Sequence, residues 1–309
     1  MPELPEVEVY RTAAATTVGR TVVGIEVSDP RFVRGGTTVA ELVDKVTGRT
    51  VTAARRRGKL LVIDLDGGPE VIADVARDAA ARAVPDAVPG RAPGGAPPSA
   101  VPGRAPGGVG SRGAGRPTRL GLRFGMTGRL LVDGSGPIDR LLYASTRDVP
   151  RWDRLVLHFE GHHQLTVRDP RLLGGVVLDP DEDALGPDAL TLTPAQLTAA
   201  LGNSAVPLKA RLLDQAKVAG IGNLVADEVL WRVDLAPDRQ AGSLDAAERR
   251  RLARGVTSTL RLLLRRGGSH TGDLMAARMP GGRCPRDGAE LSRSTIGGRT
   301  SWWCPRHQH

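Results

Sequence analysis

Apolar and polar positions divide this chain into two halves with different periods. In the first half the pattern alternates. Thr21 to Val27 (TVVGIEV) and Lys59 to Asp66 (KLLVIDLD) read as strands, with a short helix at Val39 to Val46 (VAELVDKV) between them. Strand patterning returns at Leu120 to Val132, Asp153 to Phe159 and Gln164 to Arg168, the last two flanking the turn Glu160-Gly161-His162-His163. After about Glu182 apolar residues recur at three- and four-residue spacing, which predicts helices over Thr193 to Leu201, Leu208 to Lys217, Asn223 to Val233 and Leu244 to Arg266. Strands followed by helices predict an α+β chain of two domains with a ligand groove at their junction. Near the N-terminus, Pro5 suits the first turn of a helix. Glu6 and Glu8 complement its dipole, and Val7, Tyr10 and Ala14 fall on its core face.

Between Pro69 and Pro117 the pattern fails. This stretch is crowded with Ala, Pro, Gly and Arg, and VPGRAPGG occurs twice, at Val88 to Gly95 and Val101 to Gly108. So little bulky apolar surface does not offset the entropy of ordering, so a disordered insertion is expected, with at most a helical turn or two around Val71 to Ala83.

A formal charge of +9 and a pI near 10.6 favour a polyanionic partner. No run of about 18 apolar residues occurs, and the acidic N-terminus is unlike a signal peptide, so a cytoplasmic protein is expected. Two cysteines in 309 residues exclude a disulfide framework.

The first residues, Met1-Pro2-Glu3-Leu4-Pro5-Glu6-Val7-Glu8-Val9-Tyr10, carry candidate chemistry. With Met1 removed, Pro2 presents a secondary amine beside the Glu3 carboxylate. A terminal amine titrates at roughly 7.7 to 8.0, so part of it is an unprotonated nucleophile near neutrality. Its adduct with an aldehyde-like carbon is a permanently charged iminium, which acidifies the adjacent C–H and favours elimination. Structure and catalysis both remain open on these residues alone.

Five further stretches stand out. Arg55-Arg56-Arg57-Gly58-Lys59 opens a strand with four cations, and Phe124-Gly125-Met126-Thr127-Gly128 breaks one with two glycines. Asp169-Pro170-Arg171-Leu172-Leu173-Gly174 reads as a Pro-Gly turn with an Asp cap. In Leu208-Lys209 through Val218-Ala219-Gly220-Ile221-Gly222-Asn223, the glycines allow close approach to a phosphate and Asn223 is placed to cap the next helix. At the C-terminus Cys284, Asp287, Cys304 and His307 form C-x2-D-x16-C-x2-H, a chemically possible tetrahedral zinc set.

Taken in order, these motifs resemble the formamidopyrimidine-DNA glycosylase (Fpg/Nei) family of base-excision repair enzymes over most of the chain outside the insertion. The resemblance implies an N-terminal β-sandwich domain at 2–182, with 69–117 inserted in a hairpin. It implies a helix-two-turn-helix domain at 183–270 and a zinc-ribbon-like hairpin at 271–309. It implies a bifunctional glycosylase and abasic-site lyase acting on double-stranded DNA with oxidised bases or abasic sites, as a monomer without membrane contact.

By that resemblance Pro2 is the nucleophile, Glu3 the proton donor and shuttle, and Lys59 and Arg299 support departure of the phosphates. Met126 fills the gap left by a flipped nucleotide, and Arg171 faces the orphaned base. Lys209 and Asn223 grip phosphates, while Glu228 is a brace. FGMTG, and Leu4-Pro5 in place of Gly-Pro, lean towards 8-oxoguanine and formamidopyrimidines.

The chain also departs from the family. Arg123 stands for a common His, Leu173 for an aromatic wedge, and Trp152 for a DNA-binding His. Asp287 and His307 stand for two zinc-ligating cysteines. The alternatives are a non-catalytic damaged-DNA-binding relative and a small-molecule enzyme with a proline base. For the C-terminal hairpin the alternative to one Zn2+ is packing by Leu291, Trp302 and Trp303.

Overall fold

The computed structural model describes residues 2–67, 117–138, 141–142, 145 and 147–309. The expected insertion from Pro69 to Pro117, Pro117 excepted, lies outside them, as does the helical turn around Val71 to Ala83.

Two sheets face each other across one core. Strands β1 (Val22–Val27), β7 (Asp153–Phe159), β8 (His163–Arg168) and β6 (Arg129–Val132) form a four-stranded sheet in that order. The other sheet has five strands: β2 (Val33–Arg34), β9 (Gly175–Leu178), β5 (Thr118–Arg123), β4 (Leu60–Asp66) and β3 (Thr50–Arg57). Leu61, Ile63, Leu120 and Leu122 from one sheet meet Leu130, Leu155, Leu157 and Leu165 from the other, all fully buried. Helix α1 (Leu4–Ala14) adds Val7, Tyr10 and Ala14 to this core, as its periodicity predicts, and α2 (Val39–Val46) adds Leu42 and Val46.

The strand expected from Leu120 to Val132 is broken into β5 and β6, which belong to different sheets. Gly125 makes the crossing possible. It adopts φ +54°, and a Cβ there would lie 2.5 Å from the Leu173 carbonyl carbon. The glycines in FGMTG therefore serve a close backbone approach. Three strands of the sandwich escaped the alternation rule: β3, whose C-terminal end is RRR, and the short β2 and β9.

Beyond the sandwich follow α3 (Pro194–Leu201), α4 (Leu208–Leu213), α5 (Asn223–Arg232) and α6 (Ala246–Arg266). Their starts follow local chemistry: Thr193 with Gln196, and Asp245 with Glu248, form capping boxes, while α6 stops at Gly267 in the left-handed region. Helix α4 ends four residues before the expected Lys217, because Asp214 turns the chain and its carboxylate accepts from the Ala216 amide at 3.0 Å. These helices enclose a second core, which Leu4 from the N-terminus also enters. Strands β10 (Ser292–Ile296) and β11 (Arg299–Trp303) form a hairpin whose small core holds Trp231, Leu291, Trp302, Cys284 and Cys304. Trp231 of α5 takes the place expected of Trp303.

Candidate active site at the N-terminal junction

Three segments distant in sequence converge at the chain's start: residues 2–4, the turn between β3 and β4, and the turn between α4 and α5. Two glycines set how closely they meet. A Cβ at Gly58 would lie 2.7 Å from the Ala219 Cβ, and one at Gly220 would lie 2.4 Å from Leu4 Cδ1. The Leu4 amide donates to the Gly220 carbonyl at 3.3 Å. Gly220 and Gly222 are expected to admit a phosphate; in the structure the groups pressed against them are Leu4 and Glu3.

Glu3 is fully buried, and its carboxylate accepts from the amides of Leu224 (2.8 Å) and Val225 (3.0 Å). It thus caps α5 from the far end of the sequence. The expectation that Asn223 caps this helix is corrected: Asn223 is its first residue, Gly222 is the N-cap, and no local side chain caps it. The Asn223 Oδ1 is buried without a hydrogen-bond partner among the described residues. Burial raises the Glu3 pKa, against the opposing pull of Lys59 and the two amides. A carboxyl that keeps its proton longer than an ordinary glutamate is suited to general acid chemistry.

Lys59 points the other way. Burial lowers its pKa, Glu3 opposes this and Arg299 reinforces it, while its ammonium donates to the Ile221 carbonyl at 3.0 Å. The three preceding arginines are tied down. Arg55 pairs with Asp64 (2.5 Å) and Glu182 (3.0 Å), Arg56 with Asp188 (2.6 Å) and Glu8 (2.8 Å), and Arg57 donates to the Leu185 carbonyl (2.8 Å). They clamp the sheet to the chain leading into the helices and leave Lys59 as the cation of this motif at the cavity.

That cavity, about 400 Å³, is lined by Pro2, Lys59, Arg123, Met126, Leu173 and Arg299 among others. A neighbouring cavity of about 720 Å³ takes Glu3, Asn223, Met275, Arg278 and Trp302. Met126 and Arg299 line both. Arg299 is exposed and follows the Gly297-Gly298 turn at the hairpin tip. Asp169 holds the Arg171 loop: it is fully buried and accepts from Thr127 (2.5 Å) and from the Leu173 (2.8 Å) and Gly174 (2.7 Å) amides. Arg171 itself lines a separate groove with Arg31, Arg34 and Arg154. Trp152 lies beside this loop, its carbonyl accepting from the Asp169 amide at 2.8 Å.

Lys209 does not match its expected phosphate-gripping role. Its side chain has no exposed surface, and its ammonium lies 2.7 Å from Asp227 and 2.9 Å from the Thr300 carbonyl. Burial lowers its pKa, with Asp227 opposing. It is an internal brace. Glu228 is one too, accepting from the amides of Asp273 (3.0 Å) and Leu274 (2.9 Å). Sequence reasoning missed Glu6 and Asp227. Glu6 is buried, accepts from the Glu3 amide (2.8 Å) and from the Ser269 amide (2.6 Å) and hydroxyl (2.7 Å), and so ties α1 to the chain after α6. The E-x-x-E spacing of Glu3 and Glu6 was its signal. Asp227, inside an apolar helix, gave none.

Cys284, Asp287, Cys304 and His307 present ligand atoms all within 4.8 Å of one another. Their donor set and closeness fit a tetrahedral cation. Burial pushes the Cys304 thiol up to about 11, so a cation is what would draw off its proton.

The N-terminal domain model of formamidopyrimidine-DNA glycosylase matches residues 1–82, and its H2TH domain model matches 184–274. A formamidopyrimidine-DNA glycosylase of Nocardia farcinica is 30% identical to this chain, the match covering 100% of the chain and 98% of that protein. The chain belongs to the formamidopyrimidine-DNA glycosylase family. A relative of the same name from Carboxydothermus hydrogenoformans is 29% identical, with both chains fully covered. Among solved structures, the Lactococcus lactis Fpg bound to DNA containing Fapy-dG has a TM-score of 0.69 at 24% identity, covering 99% of this chain and 100% of that one. That likeness shows the α+β fold. Membership places the chain among DNA glycosylases of base-excision repair, and none of its described helices is long and apolar enough to cross a membrane.

Proposed function

We propose that this protein is a bifunctional glycosylase and abasic-site lyase that removes oxidised bases from double-stranded DNA, with 8-oxoguanine and formamidopyrimidines favoured. The observation that carries this reading is the convergence of Pro2, Lys59 and Arg299 on one cavity, with Glu3 among the residues of the adjoining one. In this reading the Pro2 nitrogen attacks C1′ of a flipped nucleotide as the bond to the base breaks, and Glu3 supplies the proton that the base takes away. The Pro2 N–H proton passes to the ring oxygen as its bond to C1′ breaks, which opens the sugar and leaves an iminium. Loss of a C2′ proton then expels the 3′ phosphate, and a second elimination expels the 5′ phosphate. Lys59 and Arg299 stabilise the departing phosphates.

Met126, standing between the two cavities, fills the space vacated by the flipped nucleotide. Arg171 faces the orphaned base from its arginine-lined groove, with Trp152 beside the same loop. Asn223, at the start of α5, meets a backbone phosphate. Among solved structures with DNA is a Lactococcus lactis Fpg bound non-covalently to abasic-site DNA, with a TM-score of 0.69 at 24% identity. A DNA partner also suits the charge of +9. We further assign residues 2–182 to the catalytic sandwich, 183–270 to the DNA-binding helices and 271–309 to the hairpin, acting as a monomer. Cys284, Asp287, Cys304 and His307 would hold one zinc ion, which when bound staples the base of the hairpin.

Borohydride reduction in the presence of duplex DNA bearing an abasic site or 8-oxoguanine tests the proposal. A covalent complex mapping to the N-terminal peptide is expected. Trapping that survives both Pro2→Gly and an N-terminal extension would overturn it.

A further inference from the structure

The strand that carries Arg299 is fastened to the helices by one buried carboxylate. Asp227 lies in the second turn of α5, two and three residues beyond the amides that hold Glu3. Its Oδ1 accepts from the Ser301 hydroxyl at 3.0 Å and lies 2.7 Å from the Lys209 ammonium. Its Oδ2 accepts from the Trp302 amide at 3.2 Å and from the Arg278 guanidinium at 2.7 and 3.2 Å. Lys209 also donates to the Thr300 carbonyl at 2.9 Å. The three residues that follow Arg299 are therefore all gripped by Asp227 or by the lysine it neutralises.

We propose that Asp227 is a positioning residue that sets Arg299 relative to Pro2 and Glu3. Helix α5 then works as a common ruler: its first amides fix the Glu3 carboxylate, and the next turn fixes the register of β11. The rest of the hairpin tip is held by apolar packing, with Ile296 buried and Gly297 close against Ala210, and not by polar bonds to the helices. Gly297 and Gly298 adopt φ +57° and +70°, and the closest neighbour a Cβ at Gly297 would meet is Ala210. The cluster of Cys284, Asp287, Cys304 and His307 is at the other end of β11, five residues from Arg299 and so about 16 Å away along the strand. A carboxylate that balances two buried cations also does what a metal at that distance does not: it fixes side-chain register next to the reacting groups.

The inference rests on the proposed role of Arg299, so its test separates the two. Asp227→Asn, Ser301→Ala, Arg299→Ala and the double variant Asp227→Asn/Arg299→Ala are compared on duplex DNA with a preformed abasic site. Borohydride trapping rate, the ratio of second- to first-elimination product, bound metal, and amide exchange of Thr300 to Trp302 are measured. Asp227→Asn is expected to slow the second elimination about tenfold or more while trapping stays within about twofold, with Ser301→Ala smaller in the same direction. The double variant is expected to be no slower than Arg299→Ala alone, because both changes remove one function. Equal loss of trapping and elimination, or additive losses, would overturn the inference. If Arg299→Ala leaves elimination unchanged, the role of Arg299 is wrong, and amide exchange decides for Asp227: lost protection of Thr300 to Trp302 supports it and kept protection refutes it. Should Asp227→Asn fail to fold, Ser301→Ala carries the same comparison.

Discussion

The Glu3 carboxylate accepts a 2.8 Å hydrogen bond from the Leu224 amide, so a group 221 residues earlier in the chain caps helix α5. One side chain is thereby both helix cap and candidate proton donor. The helix N-terminus favours its charged form and burial favours its neutral form. Burial is the larger influence, which leaves the group poised to hold a proton above the usual carboxylate range.

A pH-dependent stability follows. Glu3 titrates near 4.5 when unperturbed and higher in the fold. Its contribution to stability is fully present below that ordinary value and is lost as pH rises through the raised folded value. Gln does not titrate. Glu3→Gln forfeits one of two amide hydrogen bonds at every pH, at a cost of about 1 kcal/mol. Relative to the parent its thermal midpoint should nevertheless improve steadily from acid towards neutral pH. A difference that is flat or shrinks over that range would contradict the assignment. The same variant should lose base excision yet keep some lyase activity on a preformed abasic site.

Gly222 tests the geometry by steric means. A Cβ there would lie 2.2 Å from Glu3 Cδ, while its φ of −114° suits any residue. Gly222→Ala should therefore fold, lose about 1–3 kcal/mol to overpacking, and cut base excision about 10²-fold by displacing the carboxylate. Gly24→Ala, whose Cβ would meet only His158 at 3.9 Å, is the control. Equal activity in the two variants would rule out a requirement for this placement.

Local signals were legible and convergent ones were not. Helix α2 and strand β7 follow their patterns residue for residue, because each buries one face within a single core. That Pro2, Lys59 and Arg299 meet at one cavity, with Glu3 beside it, was legible through motifs. The use of Gly222 to admit Glu3, and of Lys209 as a brace for Asp227, depends on segments more than two hundred or about twenty residues apart meeting in space, and no periodicity encodes that. Asn223 was misread for the same reason: its position suits a cap, but Glu3 already occupies the amides.

Strands β4 and β5 pair in register from Leu60 with Arg123 to Leu65 with Thr118, so the sheet closes without help from the chain between them. Replacing Pro69 to Pro117 with a short Gly-containing turn should leave soluble yield, thermal midpoint and cleavage largely unchanged. Loss of soluble protein, or strong resistance of this segment to limited proteolysis in the full chain, would count against it.

The hairpin should hold zinc weakly and need it little. Asp287 and His307 replace two soft thiolates with harder donors, which lowers affinity without abolishing a tetrahedral site. Binding must also displace thiol protons, so mild acid should release the ion. Packing supplies an independent hold: Trp231, Leu291 and Trp302 bury against one another, and Ser301 and Trp302 are bonded to Asp227. Metal analysis of untagged protein should therefore find substoichiometric or chelator-labile zinc, and abasic-site cleavage should survive chelation in good part. Asp287→Cys with His307→Cys should bind zinc more tightly, with little gain in cleavage. One firmly held zinc in the parent, or collapse of cleavage on its removal, would show that the metal rather than the Asp227 network places Arg299.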